Sequence, residues 1–327
     1  ASSPSSSSSS SSSSPQLYHP LACPGFCGRH ARAAGNYTEC EACDWGEQVT
    51  GAGVPGRSLC MPCTDSLPLY DWLYLLFVCL VPLLVHCYHV RKSLPARLNQ
   101  PALAEVLEHC SCVLECLLAA LSTVLVYPPR GSFALAACPR RRFKEWYPWL
   151  YNPVLSYART IPCTYEVVFP LYSIPFVYLA FCLVNTVVLR TVLYASYVHK
   201  FRPARSYYAA LFTLPILALA NAFTAGLLYS TFPFLVGGYA LIAHATHLAF
   251  LKTPSRYQLF VKLKSSPMDV ILLLVHSLLL AFSIVALCVR FRDLSFALPF
   301  LSLVPLPPAF YALTVSLTHP LAVATQH

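Results

Sequence analysis

Seven stretches of this chain run on with almost no charge: Tyr70–Val90, Ser111–Tyr127, Val167–Leu189, Tyr207–Tyr229, Phe232–Leu251, Asp269–Val289 and Phe296–Leu317. About 20 apolar residues at 1.5 Å per residue cross a hydrocarbon layer of about 30 Å. Only 11% of the residues are charged, where a soluble domain carries about 25%. The expectation is an all-α polytopic membrane protein with seven transmembrane helices set in the lipid bilayer. The formal net charge of +9 then reports loop topology and contact with anionic headgroups, and no nucleic-acid partner is expected. Spans four and five are separated only by Ser230 and Thr231, which predicts a tight helical hairpin.

The flanks of the first span set the orientation. Asp65 and Asp71 precede it, and Arg91, Lys92 and Arg97 follow it. That asymmetry places the N-terminus outside and the next loop in the cytosol. Basic charge summed over all loops comes out equal on the two sides, so the flanks decide. With seven spans the C-terminus is cytosolic. The second span is the least regular because it contains Glu115, and a carboxylate at a helix centre costs roughly 2.5–3.5 kcal/mol on insertion scales. The triplet Asn36-Tyr37-Thr38 is an N-x-[ST] sequon, used only in the lumen, and makes Asn36 a candidate N-glycosylation site.

Ahead of the first span lie Cys23, Cys27, Cys40, Cys43, Cys60 and Cys63 in a segment poor in aliphatic residues. Such a segment needs covalent staples to fold. In the lumen these six would form three disulfides. In the cytosol, Cys40, Cys43, Cys60 and Cys63 would suit a tetrahedral zinc site. Orientation favours disulfides, with no metal or other cofactor, and connectivity is not readable because six cysteines allow 15 pairings. Cys138 and Cys163 share the second lumenal loop and could pair with each other. The expected organisation is a disordered Ser-rich tail (1–16), a small lumenal cysteine-rich module (17–69), the helical membrane domain (70–317) and a short cytosolic tail (318–327).

Other chemistry-bearing residues are scattered. Glu105, Glu108, His109, Cys112 and Glu115 recur at helical spacing. The first two suit the positive end of a helix, and Glu115, as an intramembrane acid, is a functional candidate. His244, His247 and His276 read as hydrogen-bonded packing residues. The run Arg140–Pro153 reads as an aromatic belt beside a span. No catalytic constellation is found, so a non-enzyme is expected.

Several segments carry a resemblance. "CMPCTDSLPLYDWLYL" (Cys60–Leu75), "EWYPWLYNP" (Glu145–Pro153), "CTYEVVFPLYSIPFVYLAFCLV" (Cys163–Val184), "YAALFTLPIL" (Tyr208–Leu217), "GLLYSTFP" (Gly226–Pro233) and "LSLVPLPPAFY" (Leu301–Tyr311) resemble, in order, the c-Jun N-terminal kinase-associated membrane protein family. The resemblance implies a seven-span endoplasmic-reticulum membrane protein. It also implies an adaptor that recruits proteasome subunits and a RING-type membrane ubiquitin ligase for degradation of misfolded proteins, and that modulates the duration of c-Jun N-terminal kinase signalling. Kinase docking peptides pair basic residues with spaced apolar ones, which makes Lys252, Arg256, Leu259 and Val261 a candidate docking loop. Lys92, Lys200, Lys252, Lys262 and Lys264 are candidate ubiquitin acceptors on the cytosolic side. The competing expectation is a seven-span receptor or transporter with a cysteine-rich ectodomain.

Overall fold

A computed structural model describes residues 23, 25–32, 36–50, 58–93, 102–138, 142–151, 163, 167–196, 204–251, 255–291, 295 and 297–318. The Ser-rich tail, Lys200, Lys252 and the C-terminal tail beyond 318 lie outside the described residues. The chain divides into two compact units, Ala1–Cys63 with Cys138–Phe169, and Thr64–Ala137 with Pro170–His327. The first unit therefore takes in the segment 138–169, which reads in the sequence as a loop between spans.

The first unit is built on a hairpin of β1 (Glu47–Thr50) and β2 (Leu59–Pro62), paired antiparallel with Val49 opposite Cys60. The second unit opens with β3 (Asp65–Ser66) and continues into α1 (Leu69–Ser93), α2 (Ala102–Val126) and β4 (Ala136–Ala137), with β3 and β4 paired antiparallel. A 3-10 turn (Phe143–Trp146) and α3 (Pro148–Tyr151) belong to the first unit. Then come α4 (Ile174–Ser196), α5 (Ala204–Phe250), α6 (Arg256–Ser265), α7 (Pro267–Arg290), α8 (Ala297–Leu301) and α9 (Leu306–Thr318).

Among the described residues, six helical stretches are long and apolar enough to cross a membrane: Leu69–Lys92, Val106–Val126, Ile174–Leu193, Ser206–Phe250, Asp269–Arg290 and Ala297–Val315. The third starts later than its apolar run, because Pro175 sits in the first turn of α4, where a proline has no helical bond to lose. Residues 167–173 form turns instead. No break in the helix marks the hairpin expected at Ser230 and Thr231, since both lie within α5. Thr231 Oγ1 donates to Leu227 O at 2.8 Å, so its hydroxyl is satisfied inside the helix.

Yet α5 is not straight. Forty-seven residues would extend about 70 Å, about twice the hydrocarbon thickness, and its neighbours exclude that path. Helices α1 and α4 run parallel: Tyr178 Oη donates to Cys79 O at 3.0 Å, and Arg190 Nη2 reaches His86 Nδ1 at 3.3 Å. The first half of α5 runs against them, since Arg190 Nη1 donates to Ser206 O while Tyr172 Oη donates to Ala222 O. The second half runs with them. Tyr70 Oη donates to Tyr229 O, Phe232 stacks on Phe77 with ring centroids 5.4 Å apart, and Tyr239 shares a groove with Tyr88. The helix therefore reverses between Ala222 and Phe232, a stretch containing Gly226 and followed by Pro233.

The reversal is held by polar groups in an apolar place. Pro233 has no N–H, so the carbonyl of Tyr229, four residues earlier, loses its helical donor. The Tyr70 hydroxyl replaces it at 2.8 Å, and Arg290 Nη1 donates to that hydroxyl at 3.1 Å. Tyr229 Oη donates to Asp71 Oδ1 at 2.8 Å. A proline kink inside a bilayer is tolerated only when neighbours satisfy the freed carbonyl, and here they do. Gly237 brings α5 against α7: a Cβ there would lie 2.5 Å from Ser283 Oγ, which donates to Pro233 O at 2.7 Å. The apolar core around Cys116, Ala119, Tyr178, Leu179, Cys182 and Leu214 joins α2, α4 and the first half of α5.

Candidate functional site

Three places concentrate chemistry. In the first unit the structure joins Cys23 to Cys40, Cys27 to Cys163, Cys43 to Cys60 and Cys63 to Cys138. The pairing of Cys138 with Cys163 is thus corrected: each is bonded to a cysteine ahead of the first span. Two loop cysteines that are near in sequence need not be near in space, and the turns at 167–169 and the Cys138 N to Phe169 O bond of 3.0 Å hold this loop in another register. Cys40, Cys43, Cys60 and Cys63 all have sulfur partners, so they supply no thiolate set for zinc. Gly28 packs where no side chain fits, since a Cβ would meet Cys60 Sγ at 2.6 Å and Cys43 Sγ at 2.9 Å. Asn36 is exposed, as an acceptor for a glycan must be. Glu145 and Trp146, expected in an aromatic belt, are buried, and Glu145 Oε2 accepts from Arg142 N at 2.7 Å. Arg140 and Arg141 lie outside the described residues.

The two bonds Cys27–Cys163 and Cys63–Cys138 carry a topological consequence. They join the segment before α1 to the segment after α2, so both segments occupy the same side of any membrane that α1 and α2 cross.

The second place is a charged cluster among the spanning helices. Glu115 on α2 is fully buried, and its carboxylate accepts from Arg190 Nε at 2.8 Å, Ser111 Oγ at 2.6 Å and Thr186 Oγ1 at 3.0 Å. Arg190, 3% exposed on α4, also donates through Nη2 to Cys112 Sγ at 3.1 Å and His86 Nδ1 at 3.3 Å. A guanidinium only donates, so His86 Nδ1 accepts and the ring proton sits on Nε2. The 3.8 Å approach of His86 Nδ1 to Glu115 is therefore no ion pair. Buried Glu108 accepts from Ser206 Oγ at 3.4 Å. The cluster ties α1, α2, α4 and α5 at one level. Both carboxylate oxygens of Glu115 are hydrogen-bonded, so its chemistry is that of a helix clamp.

The third place is α6. Ser255 caps it, accepting from Gln258 N at 3.3 Å. Leu259, expected as half of an apolar docking pair, is buried against Leu248 and Leu251. It cannot face a partner together with exposed Val261, because a helix turns residues two apart to different faces. Arg256 Nη2 donates to Leu313 O at 3.0 Å, and Lys262 Nζ to Leu251 O at 2.6 Å. The face α6 does present is Tyr257, Phe260 and Val261, at 77%, 67% and 49% exposure. Sequence reading missed that face by treating the segment as a loop. Of the candidate ubiquitin acceptors, Lys92, Lys262 and Lys264 are exposed; Lys200 and Lys252 lie outside the described residues.

Comparison with known proteins bears on all three places. A family model described as "JNK1/MAPK8-associated membrane protein" matches residues 23–320. The chain is 36% identical to a JNK1/MAPK8-associated membrane protein homolog of Caenorhabditis elegans, over 91% of this chain and 94% of the worm protein. It is 36% identical to the JNK1/MAPK8-associated membrane protein of Mus musculus and 35% identical to that of Homo sapiens, in each case over 89% of this chain and 90% of the relative. No solved structure matches. Matches that run through the disulfide module, the charged cluster and α6 alike place this chain in the JNK1/MAPK8-associated membrane protein family.

Proposed function

We propose that this protein is a non-enzymatic adaptor of the endoplasmic-reticulum membrane that binds c-Jun N-terminal kinase on its cytosolic face. There it also recruits proteasome subunits and a RING-type ubiquitin ligase for degradation of misfolded proteins. The observation that carries this reading is the family match over residues 23–320, among relatives named for association with the kinase.

The geometry supports it. Four disulfides belong in an oxidising compartment, so the cysteine-linked unit is lumenal and Asn36 is open to glycosylation. Counting α5 as two crossings gives seven spans and a cytosolic C-terminus. On that count α6, between α5 and α7, is cytosolic, as is the α1–α2 connection. A short helix presenting two aromatic residues and a valine beside Lys262 and Lys264 suits a docking surface, since aromatic anchors dominate binding energy.

The test is recovery of the kinase with the full-length protein from cells. Changing Tyr257 and Phe260 to Ser lowers recovery at least about tenfold, as loss of one anchor of about 1.4 kcal/mol or more would. An Asn36→Gln variant run beside it keeps kinase binding but loses the endoglycosidase-sensitive mobility shift. Unchanged kinase recovery removes α6 as the docking element, and a wild type insensitive to endoglycosidase removes the assigned orientation.

A further inference from the structure

His244 and His247 stand one turn apart on α5, facing Asp269, His276 and Ser277 on α7. Ring centroids of His244 and His276 are 5.4 Å apart, and those of His247 and His276 are 6.1 Å apart. His244 is fully buried, and its Nε2 lies 3.3 Å from Ser277 Oγ. The Ser277 hydroxyl donates its one proton to Leu273 O at 2.8 Å. With that proton on Leu273 O, the oxygen accepts from His244 Nε2–H, the tautomer that leaves a lone pair on Nδ1. That Nδ1 is buried without a hydrogen-bond partner, as are His276 Nδ1 and His247 Nε2. His247 Nε2 looks toward Asp269 Oδ1 at 3.6 Å, beyond hydrogen-bond length.

Three neighbouring imidazoles with idle buried nitrogens call for an explanation, because buried polar atoms are nearly always paired. The geometry points to a binding site for a divalent transition-metal ion, Zn²⁺ in the first place, held by His244, His247 and His276 with Asp269 as fourth ligand or as the carboxylate orienting His247. Two imidazoles on one tetrahedral Zn²⁺, with Zn–N of about 2.0–2.1 Å, hold their ring centres about 5–6 Å apart. Nitrogen donors of this kind select borderline transition ions over Mg²⁺ or Ca²⁺. A carboxylate beside a ligating histidine is the usual supporting partner. The donor atoms of these residues do not all lie within 4.8 Å of one another, as those of the one group so placed among the described residues do, so occupancy requires the side chains to turn inward. His247 and Asp269 keep 16% and 21% of their side-chain surface exposed, which gives the ion a way in. The occupied site would pin the end of α5 to the start of α7 and so fix both ends of α6, which lies between them. This inference does not depend on the adaptor function.

One other group competes. His30, Glu47 and Cys60 have ligand atoms within 4.8 Å of one another, but the Cys60 sulfur is bonded to Cys43 and the thiolate is the metal ligand. The experiment uses the full chain in lipid nanodiscs, purified without a histidine tag, stripped with chelator and titrated with Co²⁺ as the visible probe. One Co²⁺ per chain gives tetrahedral absorption bands, and one equivalent of Zn²⁺ displaces it. The double variant His244→Ala/His276→Ala loses the bands, Asp269→Asn weakens binding about 10–100-fold, and His30→Ala changes nothing. A wild type that binds less than one Co²⁺ per chain overturns the proposal whatever the variants do. Binding kept in the double variant and lost in His30→Ala also overturns it.

Discussion

Replacing Glu115 with Leu removes the anion that Arg190 was buried to meet. Arg190 is 3% exposed and Glu115 fully buried, so no solvent is at hand to take over the lone guanidinium. Breaking a buried pair by removing one partner costs about 3–5 kcal/mol. Ser111 and Thr186 lose an acceptor as well, but both sit in helices and can turn to a carbonyl one turn back at little cost. Arg190→Met strands the carboxylate instead, with Ser111 and Thr186 as its remaining donors, so its cost falls toward the lower end of that range. The double variant leaves no charge to strand. Its loss should be smaller than the sum of the singles by at least about 2 kcal/mol, about 30-fold in the folding equilibrium. The assay is unfolding of the purified full-length chain by added SDS in mixed micelles, disulfides intact, followed by tryptophan fluorescence and circular dichroism. If both singles fall within about 1 kcal/mol of the parent, or if the double is simply additive, the clamp does not exist as described.

Further outcomes follow from other contacts. Gly237→Ala should destabilise by about 1–3 kcal/mol through the clash with Ser283, and adding Ser283→Gly should recover part of that loss; a neutral Gly237→Ala removes the close α5–α7 crossing. Proteolytic mapping without reductant should yield peptides joining Cys27 to Cys163 and Cys63 to Cys138, and a peptide joining Cys138 to Cys163 would refute the module. Tyr70→Phe should cost about 1–3 kcal/mol, the desolvation penalty of the stranded Tyr229 carbonyl, whereas Pro233→Ala/Tyr70→Phe should be milder because the helix regains its own donor.

The apolar runs were readable because a bilayer demands length and uniformity, and both are linear properties of a chain. The cysteine staples were readable as a need but not as a pattern, since Cys138 and Cys163 acquire their partners only when two helices have brought distant segments together. Glu115 stood out as an acid in an apolar run. Its counter-ion did not, because Arg190 follows an apolar run and reads as the first residue of a loop, whereas α4 begins late and carries it inside. A signal was available: Thr186 and Arg190 are four apart, as are Ser111 and Glu115, which puts each pair on one helix face. In α6 the docking pattern obscured a plainer one, Ser255 followed three residues later by Gln258, the mark of a helix start. The fold-back of α5 was readable from Ser230 and Thr231 between two apolar runs, but what holds it was not, because the Tyr229 carbonyl is rescued there by a tyrosine on another helix.

A ribosome delivers this chain from one end, and the two cross-links that reach from ahead of α1 to beyond α2 impose an order of events on its birth. Cys27 and Cys63 arrive early and must wait, still reduced, until two helices have been threaded and the later cysteines emerge. A nascent chain in which only one of the first two helices crosses would strand those thiols on opposite sides of the bilayer, where no oxidase could join them. Completed oxidation is thus a covalent record that the segments ahead of α1 and beyond α2 reached the same compartment.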